Sequence, residues 1–565
     1  MKRACGILIC LLIMLTCQTA IAATKAEKNF QKLAADILRN LQEFWPVSAT
    51  YMGVHTFDDR YGDYSAAGVD EERRQLRDFL ARLYKYKSVR LSPDIEIDHQ
   101  LIASNCEMAL LRLWEVPYHK TNPNLYLDDA ANGIYYILIR DYAPMEKRLN
   151  DIIARMWDLQ RFLAQAEANL DAPPPVWLEY ARKNVQHVKE FFIAVSDDLA
   201  SRFPQRADEI AAAANTAVTA LDQYADFLAT LGSGEPGSFA IGKEYYNYLL
   251  EHDAFFSFDA DSLLTLGENL LAEAQTAYAD YEKKLAEAGD TSRSPVYVIS
   301  SLNKQDVIDY YNWEINTVKQ FVIDHNLVSV PSEIGPCVAV ETPKFLRGVV
   351  GAVAYEPAGP FDTAATGYFY VRPIPDSLSA TGKERYCRQI YDRGFRGSVV
   401  HEAYPGHHLQ LQLAARAPSD VRRWQMNNCL IEGWALYCEQ MAYEAGLYSD
   451  QPRRYLRVLG GIVFRAARIV IDVKLQTGQF DFDQAVDWMI RTLDADTAYI
   501  KSEVLRYTMT PGQPMSYLMG KRQIMELRDE MKAREGDAFD LKRFHDRLLS
   551  EGSIPVSLIR EKMLK

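Results

Sequence analysis

The stretch His401-Glu402-Ala403-Tyr404-Pro405-Gly406-His407-His408 cannot fold as an uninterrupted helix, although both of its flanks, Gly397–Val400 and Leu409–Leu413, accept helix. Pro405 has no N–H to give to the carbonyl of His401, and Gly406 adds backbone freedom, so the chain must kink or bulge there. The stretch gathers three of the chain's ten histidines and a carboxylate. In a regular helix, two imidazoles that share one metal ion sit four residues apart, with a glutamate beside the first. Here that position is Pro405, which cannot bind a metal, and His407 and His408 arrive later. In an unbroken helix the sixth residue on is turned by about 240°. The seventh is turned by about 340° and lies about 10.5 Å further along the axis. Neither placement suits one ion shared with His401, so a metal site requires the break.

A catalytic zinc usually takes three protein ligands and keeps a position for water. A third ligand is available in Leu430-Ile431-Glu432-Gly433-Trp434-Ala435-Leu436-Tyr437-Cys438-Glu439, a second apolar helix. Glu432 follows His401 by 31 residues, which leaves room for a helix, a loop at 417–420 and an antiparallel return. Glu439 lies seven residues beyond Glu432, on the same helix face. It could orient a ligand histidine from behind. Glu432 is expected to be the ligand and Glu439 a surface acid.

The chain opens with Lys2 and Arg3, an apolar run of 11 residues from Cys5 to Leu15, and a small-x-small site at Ala20-Ile21-Ala22. This pattern predicts a cleavable signal peptide over residues 1–22, and hence a periplasmic or secreted protein. A lipid anchor on Cys17 is the weaker alternative, because Thr16 precedes the cysteine where a small residue such as Gly, Ala or Ser is usual. Residues 1–22 hold two basic and no acidic side chains, so their removal takes the net charge from −13 to −15. That acidity argues against nucleic acid as a partner. No later segment is long and apolar enough to span a membrane. Of the five cysteines beyond the leader, no two have C-x-x-C spacing. Cys429 and Cys438 would lie about 13 Å apart along a helix, too far for a disulfide. The sequence leaves the oligomeric state open.

Apolar residues recur at helical spacing in Glu72–Tyr86, Met145–Ala168, Asp208–Leu231, Ala260–Ala286 and Asp306–His325. Pro- and Gly-rich punctuation falls at 172–175, 232–237 and 331–336. The expected fold is mainly α: a large helical assembly around a deep cleft. Its N-terminal part would cover 23–336 and its metal-site part 337–565, as one continuous unit. A small β patch precedes the metal-binding helix, with Val338–Val340, Gly348–Val353 and Gly367–Pro373 as strands. The last is closed by Pro373 and suits a sheet edge. There it would either receive an extended peptide by strand addition or merely pack as a hairpin.

With these residues in place, the sequence resembles a bacterial family known by the signature HExxPGHH, the domain-of-unknown-function 885 family, which is grouped with gluzincin-type zinc peptidases. His401–His408 and Glu432–Tyr437 match its two metal-site blocks. Pro46–His55 with Asp58, Asp63 and Ser65 is similar to its opening pattern. Arg506-Tyr507, Pro511–Gln513, Tyr517, Gly520, Leu527-Arg528 and Phe539–His545 follow its C-terminal pattern. The resemblance implies a mostly helical catalytic fold and a single Zn2+. It implies His401, His407 and Glu432 as ligands and Glu402 as general base. His407 is preferred because Gly406-His407 matches the Gly-His that ends many regular motifs; His408 remains the alternative.

The chemistry expected on this basis is hydrolysis of peptide bonds in short peptides, with Glu402 taking the water proton. Tyr517 is the candidate oxyanion donor, against a packing role for it. Arg372, Arg465, Arg468 and Arg528 could each hold a peptide carboxylate, though ion pairing within the fold is the simpler reading for each. His545 is expected to be structural. A peptide-binding relative without chemistry, or a hydrolase of non-peptide amides, would fit the same motifs. Retention of Glu402 favours hydrolysis, since a binder needs no base.

Overall fold

The computed structural model describes residues 24–289, 304–343, 353–363, 365–375, 377–392, 395–449 and 452–565. The expected leader with Cys17, and the run Gly348–Val353 apart from its last residue, lie outside them. The fold is mainly α, with one small three-stranded sheet among the described residues. The periodic segments form the helices Ala66–Tyr84, Met145–Asn169, Ala207–Thr230, Ala260–Glu287 and Lys304–Asp324. Local chemistry sets their ends. Thr24 and Glu27 make a reciprocal capping box at the start of Lys25–Phe44. Asp259 caps Ala260–Glu287 through the amide of Ser262. Pro175 opens Pro175–Arg202, at a position where a missing N–H costs nothing.

One large core runs through the whole chain. Phe30 and Ile37 near the start, Phe192 and Ile210 in the middle, and Phe369, Trp434 and Ile559 later on are all buried in it. Each such side chain contributes about 1.5–3 kcal/mol on burial. Segments on both sides of residue 336 share this core. A smaller apolar cluster joins Leu263, Leu436, Ile469, Val473, Met515 and Met519. It seats the helix Arg454–Gln476 against the helices Ala260–Glu287, Asn428–Glu444 and Gln513–Glu535.

The sheet corrects one expectation. The strands are β1 (Cys337–Glu341), β2 (Val353–Glu356) and β3 (Gly367–Val371), in the order β1-β3-β2. β3 pairs in parallel with β1 and antiparallel with β2. The run before Pro373 is therefore the central strand, and it cannot accept a peptide by strand addition. Pro373 ends the strand beyond its last paired residue, so the missing N–H disturbs no ladder bond. Phe369, Tyr370 and Val371 are buried. On β1, the side chain of Asn312 bonds both the N–H and the carbonyl of Ala339 at 2.8 and 3.3 Å.

Two contacts set the frame for the site. The helices Asn428–Glu444 and Gln513–Glu535 cross backbone against backbone at Gly433 and Gly520. A methyl group on Gly520 would meet the carbonyl oxygen of Cys429 at 1.7 Å, and one on Gly433 would meet the carbonyl carbon of Gly520 at 2.5 Å. Near the start of the chain, His55 bridges Asp58 (2.7 Å) and Asp362 (2.8 Å), tying this region to the connection between β2 and β3. Burial works against charge on His55, but the two carboxylates raise its pKa.

Candidate metal centre

The helix Phe395–Glu402 ends at the first two motif residues, and a new helix, His407–Ala414, begins at the second histidine. The break is more complete than a bulge in one helix. The intervening turn is held by bonds from Gly406 N–H to the Val400 carbonyl (3.0 Å) and from Leu409 N–H to the Ala403 carbonyl (3.3 Å). Gly406 lies so close to the preceding helix that a β-carbon there would sit 1.8 Å from the His401 carbonyl oxygen. Only glycine fits. From the facing helix, the buried indole N–H of Trp434 donates to the Pro405 carbonyl at 2.8 Å, fixing the turn against the segment that carries Glu432.

This turn brings His401 and His407 together, with ring centroids 4.9 Å apart and planes nearly perpendicular. Glu432 Oε2 lies 3.7 Å from His401 Nε2 and 3.4 Å from His407 Nε2. All three ligand atoms fall within 4.8 Å of one another. A tetrahedral zinc with bonds of about 2.1 Å sets its donor atoms roughly 3.4 Å apart. Glu432 Oε2 is buried and makes no hydrogen bond among the described residues, so the donor set fits a cation at this point.

His408 turns away from the cluster. Its Nε2–H donates to the Gly335 carbonyl at 3.0 Å, and its Nδ1 accepts from the Tyr355 hydroxyl at 2.8 Å. Burial pushes its pKa down to about 4, so the ring is neutral and both nitrogens are occupied. It anchors the sheet region to the second helix.

Glu439 corrects the expectation of a surface acid. It is buried, and its Oε1 accepts from His401 Nδ1 at 2.9 Å. The seven-residue spacing that puts it on the face of Glu432 points it at the same imidazole. Burial alone would raise its pKa, but His401, Arg465 and Lys521 hold it below the ordinary carboxylate range. With Nδ1 donating to Glu439, Nε2 of His401 is the nitrogen left to face Glu432. The local field demands positive charge. Burial opposes the charged form of His401, yet Glu432, Glu439 and Glu402 outweigh it and raise the pKa to about 10. Glu432 is held well below its ordinary value by His407 and His401, against the effect of burial.

Beside the cluster opens a cavity of about 520 Å³ lined by His401, Glu402, Glu439 and Tyr517, among others. Glu402 is half-buried there. Tyr517 accepts from Gln513 Nε2 at 3.1 Å, which leaves its own proton to donate. Burial, then Glu432, raises its pKa to about 12, so it stays protonated. A neighbouring cavity of about 430 Å³, lined by Tyr118, Asp129 and Asn427 among others, holds none of the motif residues.

Of the arginines weighed from the sequence, Arg465 and Arg468 line the motif cavity. Arg528 pairs with Glu444 at 3.0 Å, and Arg372 is exposed at the end of β3; neither lines it. Arg454 and Arg457, which the sequence reading missed, line it too, as does Arg506, which that reading placed only in the C-terminal pattern. The helical spacing of the first two with Arg465 and Arg468 is the signal that could have found them. His545 is buried, bonded to the Tyr437 hydroxyl at 2.8 Å and the Leu327 carbonyl at 2.7 Å, as a structural residue would be. The free cysteines Cys106, Cys337, Cys429 and Cys438 form no disulfide among the described residues.

Two solved structures share the fold across nearly the whole chain. One is a presumed lipoprotein of unknown function from Shewanella oneidensis, with a TM-score of 0.74 and 25% identity, covering 95% of this chain and 100% of that one. The other, a presumed lipoprotein from Colwellia psychrerythraea, has a TM-score of 0.76 and 19% identity over 95% and 98% of the two chains. No curated protein matches. The family described as bacterial protein of unknown function (DUF885) matches residues 46–563, and the chain belongs to it.

Proposed function

We propose that this protein is an exported zinc-dependent metallopeptidase that hydrolyses short peptides. The observation that carries the reading is the convergence of His401, His407 and Glu432 within 4.8 Å, beside a cavity lined by Glu402 and Tyr517. His401, His407 and Glu432 would hold the metal, and Glu439 would orient His401. A bound zinc supplies a Lewis acid for the scissile carbonyl and for the attacking water. Glu402 accepts a proton from that water and delivers it to the leaving amine. Tyr517 donates its phenolic proton in a hydrogen bond to the oxygen that becomes negative as the carbonyl turns tetrahedral.

Export rests on the basic start and apolar run of residues 1–22 and on the lipoprotein descriptions of the two structural relatives. No helix among the described residues is long and apolar enough to cross a membrane.

The test is metal analysis of the purified protein combined with mass spectrometry of a peptide mixture, with and without chelator. The expected result is about one zinc per chain, chelator-sensitive cleavage, and a Glu402→Gln variant that retains metal but not cleavage. Full activity in metal-free protein would overturn the reading.

A further inference from the structure

The cavity beside the motif has the opposite charge character to the chain. The protein carries a net charge of −13, yet five arginines line this cavity among the described residues, against Glu402, Glu439 and Glu503. Four of them belong to the helix Arg454–Gln476. Arg454 and Arg465 are eleven residues apart, as are Arg457 and Arg468. Eleven residues make just over three turns, so the four lie along one side of the helix. The opposite side, with Ala466 and Ala467, is buried in the apolar cluster beneath.

The arginines nearest Tyr517 are incompletely neutralised. Arg468 donates to the Tyr507 hydroxyl at 2.7 Å and to Glu503 at 3.2 Å, and its guanidinium lies 4.4 Å over the ring of Tyr517. Arg506 donates to the same oxygen of Glu503 at 3.0 Å. One carboxylate thus serves two guanidiniums. Arg465 reaches Glu439 only at 3.9 Å, and that carboxylate already accepts from His401. Arg465 Nε is buried with no hydrogen-bond partner among the described residues. A buried donor left without an acceptor is costly, and a guanidinium is shaped to take a carboxylate on two parallel bonds.

We infer that Arg465 and Arg468 form a subsite for the C-terminal α-carboxylate of the substrate, which makes the protein a carboxypeptidase-type enzyme. The inference rests on the peptidase reading above. Arg468 stacks on Tyr517, and Arg465 is linked through Glu439 to His401, so the subsite adjoins the reacting groups. An extended chain advances roughly 3.5 Å per residue. A carboxylate held there therefore belongs to the first or second residue beyond the scissile carbonyl. A positive wall in an acidic protein would also draw anionic peptides into this cleft over other parts of its surface.

The experiment uses zinc-loaded full-length Glu402→Gln protein and calorimetric titration with three probes: N-acetyl-trialanine, its C-terminal amide, and the amide of N-acetyl-Ala-Ala-Glu. The free acid is expected to bind on the order of tenfold to a hundredfold more tightly than its amide. Adding Arg465→Gln should remove most of that difference, and Arg465→Lys, which keeps the charge without the fork, should fall between. Equal binding of free acid and amide, or full discrimination in the Arg465→Gln protein, overturns the subsite. Binding of the Glu-containing amide as tight as that of the free acid overturns the α-carboxylate assignment. Turnover of the unmodified protein separates the two readings. Equal cleavage of acid and amide would remove this inference alone. Selective binding of the acid with no cleavage of any probe would remove the peptidase reading and leave the subsite standing.

Discussion

His401 Nδ1 donates to Glu439 Oε1 at 2.9 Å, and this bond aims the other ring nitrogen at Glu432. Glu439→Gln keeps the shape but removes the charge that favours this arrangement. Metal affinity is expected to fall about 10–100-fold, measured by competition with a chromogenic chelator. Unchanged affinity would mean that Glu439 does not position the histidine.

The two late histidines separate cleanly in the structure. His407→Ala is expected to abolish stoichiometric metal retention with a modest change in stability. His408→Ala should retain the metal but lose roughly 2–4 kcal/mol, because the Tyr355 hydroxyl and the Gly335 carbonyl lose buried partners. Metal analysis and urea midpoints on both variants decide the matter; the reverse pattern would make His408 the ligand.

Close backbone contact at the glycines leaves no room for a methyl group. Gly406→Ala is expected to displace His401 and reduce metal retention, and Gly520→Ala to spread the helices that carry Glu432 and Tyr517. A shift of about 1 Å at such groups costs on the order of a hundredfold in rate. Gly232→Ala, where a β-carbon meets nothing within 4 Å, is the neutral control. Thermal melts and peptide turnover of the three variants report this, and wild-type behaviour of Gly520→Ala would contradict the packing described.

The bridge from His55 to Asp58 and Asp362 makes part of the stability depend on pH. The raised folded-state pKa of His55 means its contribution is complete below the unfolded value of about 6.5 and fades as pH rises through the folded value. The pKa of Asp58 is lowered: burial would raise it, but His55 and Arg155 overcome that. Its contribution is complete above about 3.9 and is lost as pH falls through the folded value. The destabilisation caused by His55→Gln should therefore be greatest between roughly pH 4 and 6.5 and smaller at pH 9. Urea melts across this range test it; a deficit that grows toward alkaline pH would refute the assignment.

Much of this was legible in the order of residues. The long helices follow from apolar spacing, their ends from Pro175, Asp259 and the Pro- and Gly-rich segments, and the break in the motif from the missing N–H of Pro405. A donor set for one metal was also readable, because His401, His407, His408 and Glu432 fall within two short apolar segments. The helices, their ends and the break are local properties, set by backbone sterics and by spacing within one helix, and the donor set follows from residue type and order.

Other features depend on how segments far apart in sequence pack. Glu439 looks like any solvated acid until its helix is rolled against His401. Gly367–Val371 becomes a central strand only once β1 and β2 flank it. His407 and His408 are chemically alike, and only the turn at 403–406, held by Trp434, sends one to Glu432 and the other to Gly335. The arginines of the helix Arg454–Gln476 acquire a common cavity only when its apolar face is seated. Sequence by itself determined the helices, the broken motif and a donor set suited to a metal. The tertiary structure decided which atoms meet, because burial and helix crossing are settled jointly by residues hundreds of positions apart.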